Sequence, residues 1–467
     1  MRARTLPHLL FIMTDQQRKD SLGCYGGTSA ATPHLDRLAS SSAAFDHFYV
    51  NNPVCVPSRC SFLTGRYPSA HRSRDLERPL DPGEPHLFRL LQEAGYRLAL
   101  AGKNHALPKE ELALFDHRLE RGHRKASVPS ATGVYGSGRD PGSLEQYSTV
   151  QLCEDAKAYM RQAAAEQPEQ PFCLWLSIPD PHTPIQVPEP YDTIVNRQQL
   201  PPRVEPMLDK SKPNSQQLLQ RLQGVAAAEP ALIDEYRAIY YGMVALIDEQ
   251  VGSVLDELEQ LGLSEQTIIV YTSDHGEYLG DHGMVRKSWN FYDCLMNVPF
   301  MLQWKGKLKP ARITDTMAES VDLLPTLLEL IGLLPPEGVQ GRSFAALLRG
   351  ETDVHKDKVY AEAGHPGQLP PASTIEEWQT LEKPGPYWMI SAMQGCMVRT
   401  LDWKLCRYAN GESELYDLAA DPGETVNLYA EPSARSAKLT MLELMTDTLM
   451  AVQDPRYSSA RPFGKHG

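Results

Sequence analysis

The chain has no long apolar run. Near its start Met1-Arg2-Ala3-Arg4-Thr5-Leu6-Pro7-His8 leads into only five apolar residues, Leu9 to Met13, too few for a membrane span or the core of an export signal. A cytoplasmic protein with no membrane partner is the expectation. Positive charge is in deficit: 46 Lys and Arg against 59 Asp and Glu give a formal net charge of −13, which argues against nucleic acid or an anionic membrane surface as the main partner. An anionic substrate would then need a locally cationic pocket. The eight cysteines, at 24, 55, 60, 153, 173, 294, 396 and 406, include no C-x-x-C pair and no zinc-type spacing, so they form no disulfide framework. No internal repeat is present. What remains, 42% hydrophobic and 22% charged residues, is an ordinary globular composition. A length of 467 residues exceeds what one core usually supports, so two domains are expected.

Short β-rich runs alternate with amphipathic helical stretches, the pattern of an α/β protein with a mostly parallel sheet covered on both faces. Strands are read at Leu9 to Thr14, Arg97 to Ala101, Phe172 to Ile178, Thr267 to Ser273 and Val298 to Trp304. Before the fourth, Val244, Ile247, Val251, Val254, Leu258 and Leu261 recur at helical steps, and Gly262 stands where a helix-ending glycine belongs. Polar residues follow the strands: Asp15 the first, Lys103 and His105 the second, His182 the third, Asp274 and His275 the fourth. Ligands of open α/β sheets bind outside the carboxyl ends of strands, so these segments are expected to converge on one sheet edge. Three stretches, about Ala106 to Glu145, Val187 to Pro230 and Gly364 to Pro386, read as irregular insertions that shape a pocket. A change near Gly350-Glu351-Thr352-Asp353 marks a boundary between residues 1–353 and 354–467. Beyond it, Met397 to Thr400 and Trp403 to Leu405 read as antiparallel strands and Ala434 to Met450 as a closing helix.

The most informative segment is Cys55-Val56-Pro57-Ser58-Arg59-Cys60-Ser61-Phe62-Leu63-Thr64-Gly65-Arg66. It resembles the signature C-x-P-S-R-x-x-x-L-T-G-R of the type I, formylglycine-dependent sulfatases of the alkaline-phosphatase-like superfamily. The same resemblance runs through Phe11-Ile12-Met13-Thr14-Asp15-Gln16, Gly102-Lys103-Asn104-His105, Pro181-His182-Thr183-Pro184, Thr272-Ser273-Asp274-His275-Gly276-Glu277 and, towards the C-terminus, Glu414-Leu415-Tyr416-Asp417-Leu418. It covers essentially the whole chain. It implies an α/β/α sandwich with a smaller C-terminal α+β domain carrying an antiparallel sheet, and hydrolysis of a sulfate monoester of a sugar or another alkyl or aryl alcohol. It also implies that a formylglycine-generating maturation enzyme oxidises Cys55 to an aldehyde. The hydrated aldehyde has two hydroxyls on one carbon: one attacks sulfur, and the other expels sulfate by collapse to the aldehyde.

By the same resemblance Asp15, Gln16, residue 55, Asp274 and His275 hold a divalent metal, Ca²⁺ first, with Mg²⁺ or Mn²⁺ open. Arg59 holds the hydrated aldehyde, Lys103 neutralises the sulfuryl oxygens and His105 assists collapse as a general base. His182 and Lys287 contact the transferred group and protonate the leaving oxygen. Many sulfatases carry Asp-Asp and Asp-Asn where this chain has Asp15-Gln16 and Asp274-His275, a combination that resembles the phosphonate monoester hydrolase and choline sulfatase branches. Phosphonate hydrolases tend to lack the Lys and His of the Lys103–His105 element, which favours sulfate. Two alternatives stay open: a phosphonate monoester or phosphodiester hydrolase of the same superfamily, and a non-catalytic binder of sulfated ligands if Cys55 is unmodified. The basic run His117-Arg118, Arg121 and His123-Arg124-Lys125 has two readings, recruitment of an anionic substrate and a solvated loop; the loop is preferred, since charge clusters are usually surface.

Overall fold

Seven consecutive buried residues, His8–Thr14, form the strand β1 at the heart of the main sheet. A computed structural model describes residues 6–126, 137–205, 212–225, 228–365, 377, 380 and 393–453. The side chains of β1 alternate between two apolar cores, Leu9, Phe11 and Met13 on one face and Leu10 and Ile12 on the other. A strand buried on both faces reads as a continuous hydrophobic run, which is why it was legible.

The remaining strands of this sheet are β2 (Ala43–Phe45), β3 (Arg97–Gly102), β4 (His117–Glu120), β5 (Phe172–Ile178), β6 (Thr267–Ser273), β7 (Phe300–Trp304) and β8 (Ala311–Ile313), in the order β8-β2-β7-β6-β1-β5-β3-β4. Only β7 runs antiparallel to its neighbours. The five expected strands are all present, and β7 begins two residues later than read because Pro299 has no N–H to give a ladder.

Helices cover both faces. On the Leu10 and Ile12 side lie α2 (Ser148–Glu166) and α3 (Pro230–Gln260), whose Val244, Ile247, Val251, Val254 and Leu258 are buried. Gly262 follows with φ of 70°. On the opposite side lie α1 (Cys55–Thr64) and α4 (Leu323–Ile331). The stretches read as irregular are partly ordered: 106–145 contains β4, and 187–230 contains a helix at Asn214–Gln223. Residues 127–136, 206–211 and most of 364–386 lie outside the described residues.

A second, four-stranded antiparallel sheet is built from β9 (Val359–Ala363), β10 (Gly395–Arg399), β11 (Trp403–Tyr408) and β12 (Ser413–Asp417) in sequence order. Helix α5 (Arg435–Ala451) packs Met441 and Met445 against Val398, Leu405 and Leu415 on one face. From the other face Met397, Cys406 and Tyr408 join the core beneath α1. Among the described residues no helix is long and apolar enough to cross a membrane.

Candidate active site

Cys55 is the first residue of α1. Pro57 is tolerated there because the first N–H groups of a helix have no intrahelical partner, and Val54 supplies no side-chain cap. The helix therefore presents its positive end around residue 55, where anionic oxygens are favoured. Every residue of α1 is buried, so the segment is held on all sides rather than exposed as a loop.

The strand ends deliver the other groups. Past β1, Asp15 is fully buried and Gln16 takes a left-handed conformation at φ of 66°. After β6 come Asp274 and His275, also fully buried. Donor atoms of Asp15, Cys55, Asp274 and His275 all lie within 4.8 Å of one another. Cys55 Sγ is 3.2 Å from His275 Nε2 and 3.7 Å from Asp15 Oδ1. His275 Nδ1 faces the Gly276 carbonyl at 2.8 Å, which places its proton on Nδ1 and turns the Nε2 lone pair to the cluster. Two carboxylates and an imidazole with an unshared pair are the donor set of a divalent cation, so these residues fit one. Beside them the Gln16 carboxamide donates from Nε2 to Glu277, and its Oε1 accepts from Lys287 Nζ at 3.2 Å.

Arg59, one turn along α1, has no exposed surface. Its guanidinium donates to Asp274 Oδ2 at 2.7 Å, Ser177 Oγ at 2.7 Å and Asp15 Oδ2 at 3.2 Å. A planar, five-donor group can serve three acceptors at fixed angles, which a lysine cannot. Lys103 Nζ donates to Asp15. Its backbone path depends on Gly102, where φ is 120° and a Cβ would lie 1.9 Å from the Ser177 carbonyl oxygen. Lys287 Nζ lies 2.8 Å from His182 Nε2.

These cations set the electrostatics. Burial alone would raise the Cys55 thiol, but Lys103 and then Lys287 lead the charges that outweigh it and hold it well below the ordinary thiol range. Burial, then Lys287, pushes His182 down to about 4. His105 is lowered by burial and then by Lys103. Cationic side chains thus dominate the surroundings of residue 55 although the chain as a whole is acidic.

All ten residues singled out in the sequence therefore meet at one place. Gln16, Cys55, His105, His182 and Lys287 line a cavity of about 300 Å³, with Asp15, Arg59, Lys103, Asp274 and His275 buried beneath it. One residue of the pocket comes from the basic run that the sequence reads as a solvated loop. His123 lines the same cavity, 2.8 Å from Lys103 Nζ and stacked on His182 with centroids 3.7 Å apart. Its misreading follows from β4, a strand of only four residues, His-Arg-Leu-Glu, that sequence periodicity could not reveal. Because β4 is parallel to β3, its carboxyl end opens on the same edge as Lys103.

Comparison with known proteins agrees with this geometry. The family model described as Sulfatase matches residues 7–333. An N-acetylglucosamine-6-O-sulfatase of Bacteroides thetaiotaomicron is 24% identical over 96% of this chain and 87% of its own length. A choline-sulfatase of Rhizobium meliloti is 27% identical over 91% and 83%. The solved phosphonate monoester hydrolase of Agrobacterium radiobacter superposes with a TM-score of 0.79 over 96% of both chains at 22% identity, which establishes the shared alkaline-phosphatase-like fold. A match over most of the chain, with the fold and the converging site, makes this protein a member of the sulfatase family and a sulfuric ester hydrolase.

Proposed function

We propose that the protein hydrolyses the sulfate monoester of a sugar or another alkyl or aryl alcohol, with residue 55 acting as formylglycine after conversion by a maturation enzyme. One observation carries this: residue 55 stands at a helix N-terminus, within reach of a metal-type donor cluster and of Lys103 and Lys287. A divalent cation bound by Asp15, Gln16, Asp274, His275 and residue 55, Ca²⁺ in first place, would act as a Lewis acid on the transferring group. Arg59 keeps Asp15 and Asp274 in place and balances their charge. Lys103 and Lys287 meet the charge that builds on the sulfuryl oxygens, commonly the largest single contribution in such transfers. His182 is neutral around pH 7 and shares a proton position with Lys287, which suits a leaving oxygen that must gain a proton. His105 stands ready as the base for release.

The substrate is set by what surrounds this cage. Val54, Leu76 and Trp289 give the cavity apolar surface beside the cations, suited to the face of a sugar ring or an aryl group. The names of relatives such as the N-acetylglucosamine-6-O-sulfatase favour a sulfated saccharide.

A phosphonate or phosphodiester substrate is the second reading, favoured by Gln16 and His275. Lys103 and His105 argue for sulfate. Turnover of nitrophenyl sulfate and of a nitrophenyl phosphonate monoester, measured on protein with residue 55 fully converted, separates them. Preference for the sulfate is expected; preference for the phosphonate would transfer the assignment to phosphorus esters.

A further inference from the structure

Lys103 Nζ carries only donors, so at 2.8 Å His123 Nε2 must accept, which leaves the imidazole proton on Nδ1. A second pair follows the same logic. Lys287 Nζ donates to His182 Nε2 at 2.8 Å, while His182 Nδ1 donates to the Thr183 carbonyl at 2.8 Å. The two imidazoles stack with an interplanar angle of 24°. Two lysine–imidazole pairs thus face each other in the pocket that holds residue 55.

The segment bearing His123 is anchored on both sides. Before it, Arg121 N donates to the Gly102 carbonyl at 2.9 Å. After it, Arg124 pairs with Asp140 at 2.7 Å and Asp180 at 3.5 Å, donates to the Gln186 carbonyl at 2.6 Å and lies over Tyr147. Asp180 is two residues from His182. The chain therefore ties His123 to the Lys103 strand end and to the His182 loop together.

We propose that His123 is a positioning residue that orients Lys103 and braces His182 for sulfuryl transfer, a role that rests on the sulfatase activity proposed above. An ammonium has three N–H bonds. Asp15 accepts one and His123 a second, and two fixed acceptors determine the direction of the third. With Asp15 alone the group turns about its Cε–Nζ bond, and the remaining donors are no longer aimed. The stacked ring does the corresponding work for His182 by fixing its plane.

Two substitutions divide these contributions. His123→Phe keeps a flat ring but removes the acceptor; His123→Gln places an amide oxygen near the Nε2 position but removes the ring. In converted full-length enzyme with nitrophenyl sulfate, His123→Phe is expected to lower kcat about 10–100-fold, with KM within about threefold, as expected of a small misplacement of a catalytic group. His123→Gln is expected to recover most of that loss. A His123→Phe enzyme with kcat within about twofold of the parent at unchanged thermal stability would overturn the proposal. A second measurement needs no turnover. Long-range ¹⁵N spectra of histidine-labelled, unconverted protein, with the signal assigned by its absence from His123→Phe, should show His123 neutral with its proton on Nδ1. A signal protonated on Nε2, or titrating near the ordinary histidine value of about 6.5, would refute the Lys103–His123 pairing. If the converted parent enzyme hydrolyses no sulfate ester, the sulfatase reading fails separately, and the spectrum still decides the pairing.

Discussion

At the scale of single residues, the site is a balance of buried charges in which Arg59 is the hinge. It is wholly buried between Asp15 and Asp274, and removing it leaves two carboxylates facing each other with their remaining cation partners. Breaking a buried pair by deleting one member costs about 3–5 kcal/mol, so Arg59→Ala is expected to lose that much stability to urea in metal-free protein. Arg59→Lys keeps the charge without the fork and should fall between. The placement of these groups was largely legible in the sequence, because Asp15, Lys103, His105, His182, Asp274 and His275 each sit just past a strand that hydrophobic runs make visible. Arg59 and Cys55 were legible through the local motif. His123 was not: no apolar pattern precedes it, and its role depends on which strand β4 pairs with, which is decided by packing far along the chain.

Among the elements, the close approach of β3 and β5 at their carboxyl ends is what brings Lys103 onto the cluster. Gly102 permits it, with φ of 120° and the Ser177 carbonyl where a Cβ would stand. Ser177 in turn accepts from Arg59 and donates to the Lys103 carbonyl, each at 2.7 Å. Gly102→Ala is therefore expected to cost about 1–3 kcal/mol in backbone strain. Parting the strands should also lower kcat; thermal melts and steady-state kinetics on the one variant read both effects. A variant with wild-type melting and turnover would show that this contact does not set the site. Strands buried on both faces were readable as continuous apolar runs, and the long helix α3 from its periodicity. The antiparallel direction of β7 and the short strands β2, β4 and β8 were not, since three or four residues carry too little pattern to distinguish strand from loop.

For the molecule as a whole, stability should depend on pH through buried histidines. Burial, then Arg66 and Arg74, pushes His71 down to about 3, and burial pushes His8 down to about 4. Both lie below the unfolded value of 6.5, so between that value and the folded ones the unfolded chain binds more protons. Stability must then fall as pH drops from about 6.5, by on the order of 2 kcal/mol for each of these groups at pH 5. Asp322 acts in a lower window. Burial alone would raise it, but Lys356 and His355 hold it at about 2, so its contribution is present above pH 4 and is lost as pH falls towards 2. Urea unfolding at pH 7 and 5 reads the histidines alone of these three groups, because Asp322 begins to contribute only below about pH 4; equal stability at pH 7 and 5 would contradict the histidine argument. The proposed activity turns on residue 55. The most direct test is turnover of nitrophenyl sulfate by preparations made with and without a maturation enzyme, plotted against the fraction of residue 55 found as aldehyde by peptide mass. The expected result is turnover proportional to that fraction and absent from Cys55→Ala; equal turnover by protein whose Cys55 remains a thiol would contradict the mechanism.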